Sequence, residues 1–376
     1  LKNLLKIDLN SNRIYGLDIL RALAILFVVA GHGAYLMPAA RYKYIYFFIF
    51  DGVSIFFVLS GFLIGGILIK ILKENILDSK LIINFWIRRW YRTLPNYFLI
   101  FIILLLLNYI FNNNFSVYDK KQYFLFAQNL FSEHPHFYPE AWSLSIEEWF
   151  YLLIPIILFV LIKVFKISIN NSILFTAFGI IISITLFRYF RYDSLKIDNV
   201  STWDRTLRKQ VFTRLDSLMY GVIGAYIYFH FKNFWNKYKI HFLIIGISLF
   251  ISMKFNLLGF SRFGLYHCVF SFSTTSLATL FLIPYLSCLK TGKGFIYKLI
   301  TYISLISYSM YLINLTIVQK WILRNIDWTL LENFNGYLFL LLRYSLYWAL
   351  TIIISILIYK YFEIPTMNLR DKAKIK

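Results

Sequence analysis

Three ionisable residues inside an otherwise apolar run are the first sign of chemistry in this sequence. The segment Gly16-Leu-Asp-Ile-Leu-Arg-Ala-Leu-Ala-Ile-Leu-Phe-Val-Val-Ala-Gly-His32 carries Asp18, Arg21 and His32. Arg21 and His32 are three helical turns apart, so they share one face at roughly 16 Å separation. Asp18, three residues before Arg21, can pair with it. A charge in hydrocarbon costs several kcal/mol and usually faces a cavity and serves a function there. Histidine ionises near neutral pH, so His32 has the chemistry of a general base that takes and returns a proton. The plain alternative is a buried ion pair plus one histidine bonded to a neighbouring helix.

A second apolar run begins Ala141-Trp-Ser-Leu-Ser-Ile-Glu-Glu-Trp-Phe-Tyr151. Glu147 falls one to two turns below its start, at a depth similar to His32, where a carboxylate could orient the imidazole and stabilise the imidazolium. Ser143, four residues earlier, shares that face and follows Trp142. Glu148 points elsewhere, toward a pore rim or the water interface. Arg214 and Asp216, at the mouth of a later run, could bind a polar acceptor or pair with each other.

The segment Phe85-Trp-Ile-Arg-Arg-Trp-Tyr-Arg-Thr-Leu-Pro95 has a different character, with Arg88, Arg89 and Arg92 interleaved by Trp86, Trp90 and Tyr91. Arg88 and Arg92 are an i, i+4 pair on one face. Such a cluster serves as a membrane anchor or as guanidinium forks for phosphate with an aromatic face for a purine. Ser60, Gly61, Gly65 and Gly66 crowd one stretch, where small residues let helices pack tightly and leave room for a slender ligand. His134 and His136 flank Pro135 without acidic or cysteine partners at ligand spacing, so no metal is expected. Cys268 and Cys288 read as core residues. Neither a phosphate-cradling glycine loop nor a nucleophile elbow appears.

Composition dictates the elements that must hold these groups. Of 376 residues, 59% are hydrophobic, 20% aromatic and only 15% charged, against about 45–50% apolar and 25% charged in ordinary globular chains. A soluble fold could not hide that surface, which excludes a soluble enzyme, a disordered regulator and a secreted disulfide scaffold. The chain reads as an all-α polytopic membrane protein embedded in the lipid bilayer. Lys and Arg number 39 against 18 Asp and Glu. Between apolar runs that excess marks cytoplasmic loops and anionic lipid, and no nucleic-acid partner is expected.

About ten spans are expected, at 16–37, 45–69, 93–111, 141–162, 173–190, 211–231, 240–258, 265–289, 297–319 and 336–362. The seventh is the weakest, shortened by Lys254, Asn256 and Gly259. The first run lacks a small-residue cleavage site and is expected to be a retained span. No internal repeat or appended soluble domain is evident, so one integral membrane domain is expected over 1–376, with short basic ends at about 1–15 and 364–376. Basic residues favour both termini in the cytoplasm, with Lys2, Lys6 and Arg13 inside and the loops at 112–140, 188–214 and 320–335 outside.

Taken in order, these stretches resemble the acyltransferase-3 family of integral membrane acyltransferases, which acylate cell-envelope polysaccharides, lipopolysaccharide and related glycans. Arg21 and His32 match the family's arginine, ten residues, histidine motif. Val53 to Leu63, with Phe56-Phe57 and Ser60-Gly61-Phe62, resembles its second-span motif. Arg88-Arg89-Trp-Tyr-Arg92 with Pro95 resembles the basic motif associated with the acyl-CoA donor. Trp142-Ser143-Leu144 with Glu147 and Phe150-Tyr151 matches the fourth-span signature. Arg214, Asp216 and Gly221, then Tyr361-Phe-Glu363-Ile-Pro365, complete the set. Near Tyr308 to Tyr311 many members carry a histidine where this chain has Asn314, so a second proton-transfer group there does not carry over. The extra periplasmic esterase-like domain of longer members is expected to be absent.

The resemblance implies an acyl-CoA-dependent O-acyltransferase of the bacterial cytoplasmic membrane, most often an acetyltransferase. Acyl-CoA is then a co-substrate rather than a resident cofactor, and the acceptor is an envelope glycan or lipid-linked sugar. By this reading Arg21, Arg88, Arg89 and Arg92 bind the donor. His32 is the base oriented by Glu147, unless acyl transfer runs through an acyl-histidine. Ser60, Ser143, Trp142, Arg214, Asp216, Asn314 and Glu363 serve the acceptor or the scaffold, with Ser143, Ser60 or Asn314 open as oxyanion donors. The alternative is a glycolipid flippase or polysaccharide-export component.

Overall fold

The computed structural model describes residues 13–74, 77–112, 114–332 and 336–370. The basic residues Lys2 and Lys6 and the tail beyond Arg370 lie outside the described residues. Helices α1 (Tyr15–Gly33), α2 (Ala39–Phe48), α3 (Gly52–Glu74), α4 (Ser79–Phe111) and α5 (Ala141–Phe159) come first. They are followed by α6 (Ile169–Ser194), α7 (Val200–Trp203), α8 (Leu215–His230), α9 (Lys232–Lys237) and α10 (Lys239–Phe255). The last five are α11 (Ser271–Cys288), α12 (Gly294–Ile313), α13 (Thr329–Glu332), α14 (Gly336–Ile358) and α15 (Ile364–Leu369). No strand occurs among the described residues. Wider π-helical turns at Asp204–Arg208, Asn314–Ile322 and Tyr359–Glu363 interrupt the regular winding, a feature that recurs at functional sites.

Eight helical segments among the described residues are long and apolar enough to cross a membrane, from Tyr15–Leu36 to Gly336–Leu369. The expected spans at 211–231 and 240–258 are helical too, but α8 and α10 have only 16 and 17 residues. At 1.5 Å per residue they are about 24–26 Å long, short of a full hydrocarbon core. Lys254, which weakens the seventh run, donates its Nζ to the carbonyls of Tyr46 and Ile49 at the end of α2 (2.5 and 2.6 Å). In the third span, α4 begins well before the apolar run, at Ser79. Asp78 caps it by accepting from the Leu81 amide at 2.8 Å, so the arginine segment is continuous helix.

Small residues set the spacing of the bundle. A Cβ on Gly61 of α3 would sit 1.9 Å from the Leu218 carbonyl oxygen of α8, and one on Gly221 would sit 2.1 Å from the Val58 carbonyl. These two helices therefore touch backbone to backbone. Gly16 brings α1 equally close to Leu286 of α11. With Leu20, Ala24, Ile25 and Val29 buried, α1 runs through the interior and packs on α3, α11 and α12. Large apolar side chains on α4, α6 and α10, among them Leu106, Phe178, Ile182 and Ile244, point outward. In lipid that is the stable arrangement.

Candidate active site

A cavity of about 130 Å³ lies among α1, α3, α4, α5 and α12. One end is lined by Arg21, Arg89 and Arg92, the other by Ser143 and Tyr311, with Ser60, Thr93, Glu147 and Tyr151 between. The α5 face explains the spacing: Ser143, Glu147 and Tyr151 recur every four residues and all look into the cavity. Tyr151 Oη donates to Glu147 Oε2 (2.7 Å) and so accepts from Ser60 Oγ (2.9 Å). Tyr311 Oη donates to the Glu140 carbonyl (3.0 Å), which leaves Ser143 Oγ donating to Tyr311 (2.5 Å).

At the arginine end Asp18 does pair with Arg21 (3.2 Å), and it binds Arg13 and Ser304 as well. Arg92 and Arg13 stand within electrostatic reach of Arg21, and Arg370 within reach of Arg89. The pair that enters the cavity wall is Arg89 and Arg92. Arg88 and Arg92 are both exposed, but Arg88 does not line the cavity, so the face expected for Arg88 and Arg92 is not the one that lines the site. Trp86 and Trp90 stack on each other at 5.8 Å, and Trp86 Nε1 donates to the Tyr151 carbonyl (3.0 Å). Glu363 is buried and ties the chain's last described turns to the bundle, accepting from Asn96 (2.7 Å) and Ser309 (3.0 Å). Glu148 is not at a pore rim or the water interface. It is buried against Thr93, which donates to it at 2.6 Å.

His32 lies near the opposite end of α1, and its Nδ1 is 2.6 Å from Asn314 Oδ1. Asn314 Nδ2 donates to the carbonyls of Met310 (2.8 Å) and Tyr311 (2.9 Å), so the amide presents its oxygen to the ring. His32 therefore donates from Nδ1–H and keeps the Nε2 lone pair, the form a base requires. The residue bonded to the imidazole is Asn314, while Glu147 bonds Tyr151. Glu147 sits about 9 Å along α5 from its start, on the cavity face. Asn314 is placed by the π-helical turn it opens. Glu140 locks that turn by accepting from the Thr316 amide (2.7 Å) and from Thr316 Oγ1. Burial pushes the Glu140 carboxyl above its usual range, opposed by the two Thr316 bonds.

Arg214 and Asp216 do not pair with each other. Two positions apart at a helix start they face opposite ways. Asp216 pairs with Arg188 at 2.7 Å, both side chains fully buried. Arg214 donates to Ser54 (2.6 Å) and lies 4.4 Å from the Phe272 ring centroid. His134 is turned inward, and its Nε2–H donates to the Tyr138 carbonyl at 2.9 Å. Burial lowers it to about 4, which leaves it neutral.

Sequence reasoning did not single out Glu140, Tyr311, Asp51, Asp204 or Arg208. Tyr151 appeared only within a motif. Arg208 Nη1 bonds Asp204 (2.9 Å), Nη2 is 3.6 Å from Asp51, and the guanidinium lies over the Trp142 ring at 5.0 Å. The only signal in the sequence was the unusual density of charge between 188 and 214.

The acyltransferase domain of the acyltransferase-3 family matches residues 14–360. Among proteins similar in sequence, the peptidoglycan O-acetyltransferase OatA of Listeria monocytogenes is 31% identical over 161 residues, 39% of this chain and 24% of that protein. The O-acetyltransferase OatA of Staphylococcus aureus is 30% identical over 291 residues, 71% of this chain and 44% of that protein. The chain thus spans less than half the length of these curated relatives. No solved structure matches it.

Proposed function

The chain belongs to the acyltransferase-3 family, and from that premise we propose that it transfers an acetyl group from acetyl-CoA to a hydroxyl of a cell-envelope glycan. The arginine end of the bundle faces the cytoplasm of a bacterium and the His32 end faces outward. The observation that carries this reading is the cavity itself. Cationic Arg21, Arg89 and Arg92 line one end, and its other end is formed by Ser143 and Tyr311, three residues before the asparagine that holds His32. Its 130 Å³ is about four water volumes. That suits a short acyl thioester at the tip of an arm, with the phosphates left at the arginines.

His32 Nε2 takes the proton of the acceptor hydroxyl as its oxygen attacks the thioester carbonyl. The C–O bond forms, the tetrahedral intermediate collapses and the C–S bond breaks. The coenzyme A thiolate leaves and recovers the proton from His32. Asn314 holds the imidazole in the reacting tautomer, the part first assigned to Glu147. Asn314 uses its amide donors on backbone carbonyls, Ser60 spends its proton on Tyr151 and Ser143 on Tyr311, so Ser143, at the end of the cavity, would serve as oxyanion donor by turning its proton from Tyr311 to the substrate.

Base-labile ester on surface glycans of a deletion strain tests this. Wild type and His32→Ala are compared at equal membrane abundance. Ester restored by wild type and missing with His32→Ala is the expected result, and equal ester in both overturns the role of His32. If neither restores ester while glycan export changes, a flippase is the better reading.

A further inference from the structure

On the His32 side a group of four charged residues stands in water on one face and on the catalytic elements on the other. Asp204 pairs with Arg208 (2.9 Å) and with Lys209 Nζ (2.5 Å). Arg208, at the end of the π-helical turn that follows α7, also reaches Asp51 (3.6 Å). Asp51 is fixed in turn by Ser54, whose amide (3.3 Å) and Oγ (2.6 Å) donate to it. The four side chains are 23–30% exposed, so each keeps a wetted side.

Their backbone is not free to drift. Asn129 Nδ2 donates to the carbonyls of Trp142 (3.0 Å) and Lys209 (2.7 Å), and its own carbonyl accepts from the Val211 amide (3.2 Å). The loop is thereby pinned to the first turn of α5, one residue from Ser143. Arg208 and Lys209 act electrostatically on His32, and Arg208 also on Tyr311 at the end of the cavity. The group thus lies within electrostatic reach of the base and of Tyr311 at the end of the cavity.

We propose that Asp51, Asp204, Arg208 and Lys209 form the acceptor subsite, and that it recognises an uncharged sugar ring through adjacent hydroxyls; the proposal rests on the acyltransferase reading above. Two carboxylates and two cations balance within the group; of the further cations in reach, Arg214 is buried on Ser54 and Lys320 is opposed by Glu140. The sequence of partners along the group is acceptor, donor, acceptor, donor. A hydroxyl both donates and accepts, so vicinal hydroxyls of a pyranose match that alternation. An anionic acceptor would meet Asp51 and Asp204 on both sides of Arg208. Burial would raise the Asp204 carboxyl, but Arg208 and Lys209 outweigh it and hold it below its usual range, so it remains an acceptor only.

The test uses the purified full chain in nanodiscs with radiolabelled acetyl-CoA, an N-acetylglucosamine tetrasaccharide as neutral acceptor and polyglycerol phosphate as anionic acceptor. Wild type is expected to acetylate the tetrasaccharide preferentially. Arg208→Gln is expected to raise KM for it about tenfold or more, the loss of one or two charge-assisted hydrogen bonds. The loss falls on KM more than on kcat, and the thermal shift given by acetyl-CoA stays as in wild type. Arg208→Lys, which keeps the charge but not the fork, is read alongside in case Arg208→Gln does not fold, and is expected to raise KM several-fold. An unchanged KM in either folded variant overturns the subsite, and so does preference for polyglycerol phosphate. Acetyl-CoA binding without transfer to either acceptor counts against the subsite's neutral-sugar specificity. Absence of acetyl-CoA binding counts against the acyltransferase reading itself.

Discussion

His32 Nδ1 and Asn314 Oδ1 are 2.6 Å apart although 282 residues separate them in sequence. The bond joins the C-terminal end of α1 to the first residue of a π-helical turn, and it fixes which imidazole nitrogen carries the proton. A tautomer error disables a histidine base even when the ring stays in place.

Replacing Asn314 with Ala is therefore expected to lower kcat by about 100-fold or more with little change in KM for acetyl-CoA. Initial rates at matched protein measure this. An unaltered rate would show that the asparagine is only packing. Glu140→Ala, which leaves the buried Thr316 amide without its acceptor, is expected to lower both activity and stability, by about 1–3 kcal/mol in stability.

Among the arginines, position rather than count should decide the donor effect. Arg89 and Arg92 line the cavity while Arg88 does not. Arg89→Gln and Arg92→Gln are each expected to raise KM for acetyl-CoA about tenfold, from a lost phosphate fork. Arg88→Gln should change it by less than about threefold. Equal effects for all three would mean a diffuse basic surface instead of a built site.

The backbone contact of α3 with α8 leaves no room for a side chain. Gly61→Leu and Gly221→Leu are expected to abolish the folded protein, since overpacking of a backbone contact costs about 3 kcal/mol or more. Gly179, with open space around its Cβ position, is the control, and Gly179→Ala should be tolerated. Fluorescence-detected size exclusion in detergent distinguishes the two classes.

His134 predicts a pH dependence of stability. Burial lowers its folded pKa to about 4, so between pH 6.5 and 4 the unfolded chain binds the proton and the folded one does not. Stability from this group is complete above pH 6.5 and is lost as pH falls through that window, by up to about 3 kcal/mol. Glu140, raised by burial, works in the opposite sense above its ordinary range. The comparison is therefore wild type against His134→Gln, which keeps a donor for the Tyr138 carbonyl. Thermal unfolding from pH 7 to pH 5 should destabilise wild type more than the variant, and parallel curves would contradict a buried neutral His134.

The apolar runs, the family motifs and the Asp18–Arg21 pair were legible in the sequence, because each depends on residues that are neighbours along one helix. Hydrophobic length places a segment in the bilayer whatever its partners, and a three-residue spacing brings two side chains to one face without help. The arginine helix extended beyond its apolar run because a cap and buried aromatics, not hydropathy, set its start. Which carboxylate or amide faces a given base is a different kind of fact. Asn314 meets His32, Asp216 meets Arg188 and Arg208 meets Asp51 only after helix packing, set for α3 with α8 and for α1 with α11 by glycine contacts, fixes how far apart the helices stand and how each is rotated. In a low-dielectric interior every buried polar group takes the partner that packing brings within hydrogen-bond reach. The sequence by itself determined that polar chemistry sits inside a membrane bundle; the tertiary structure decided which groups share it.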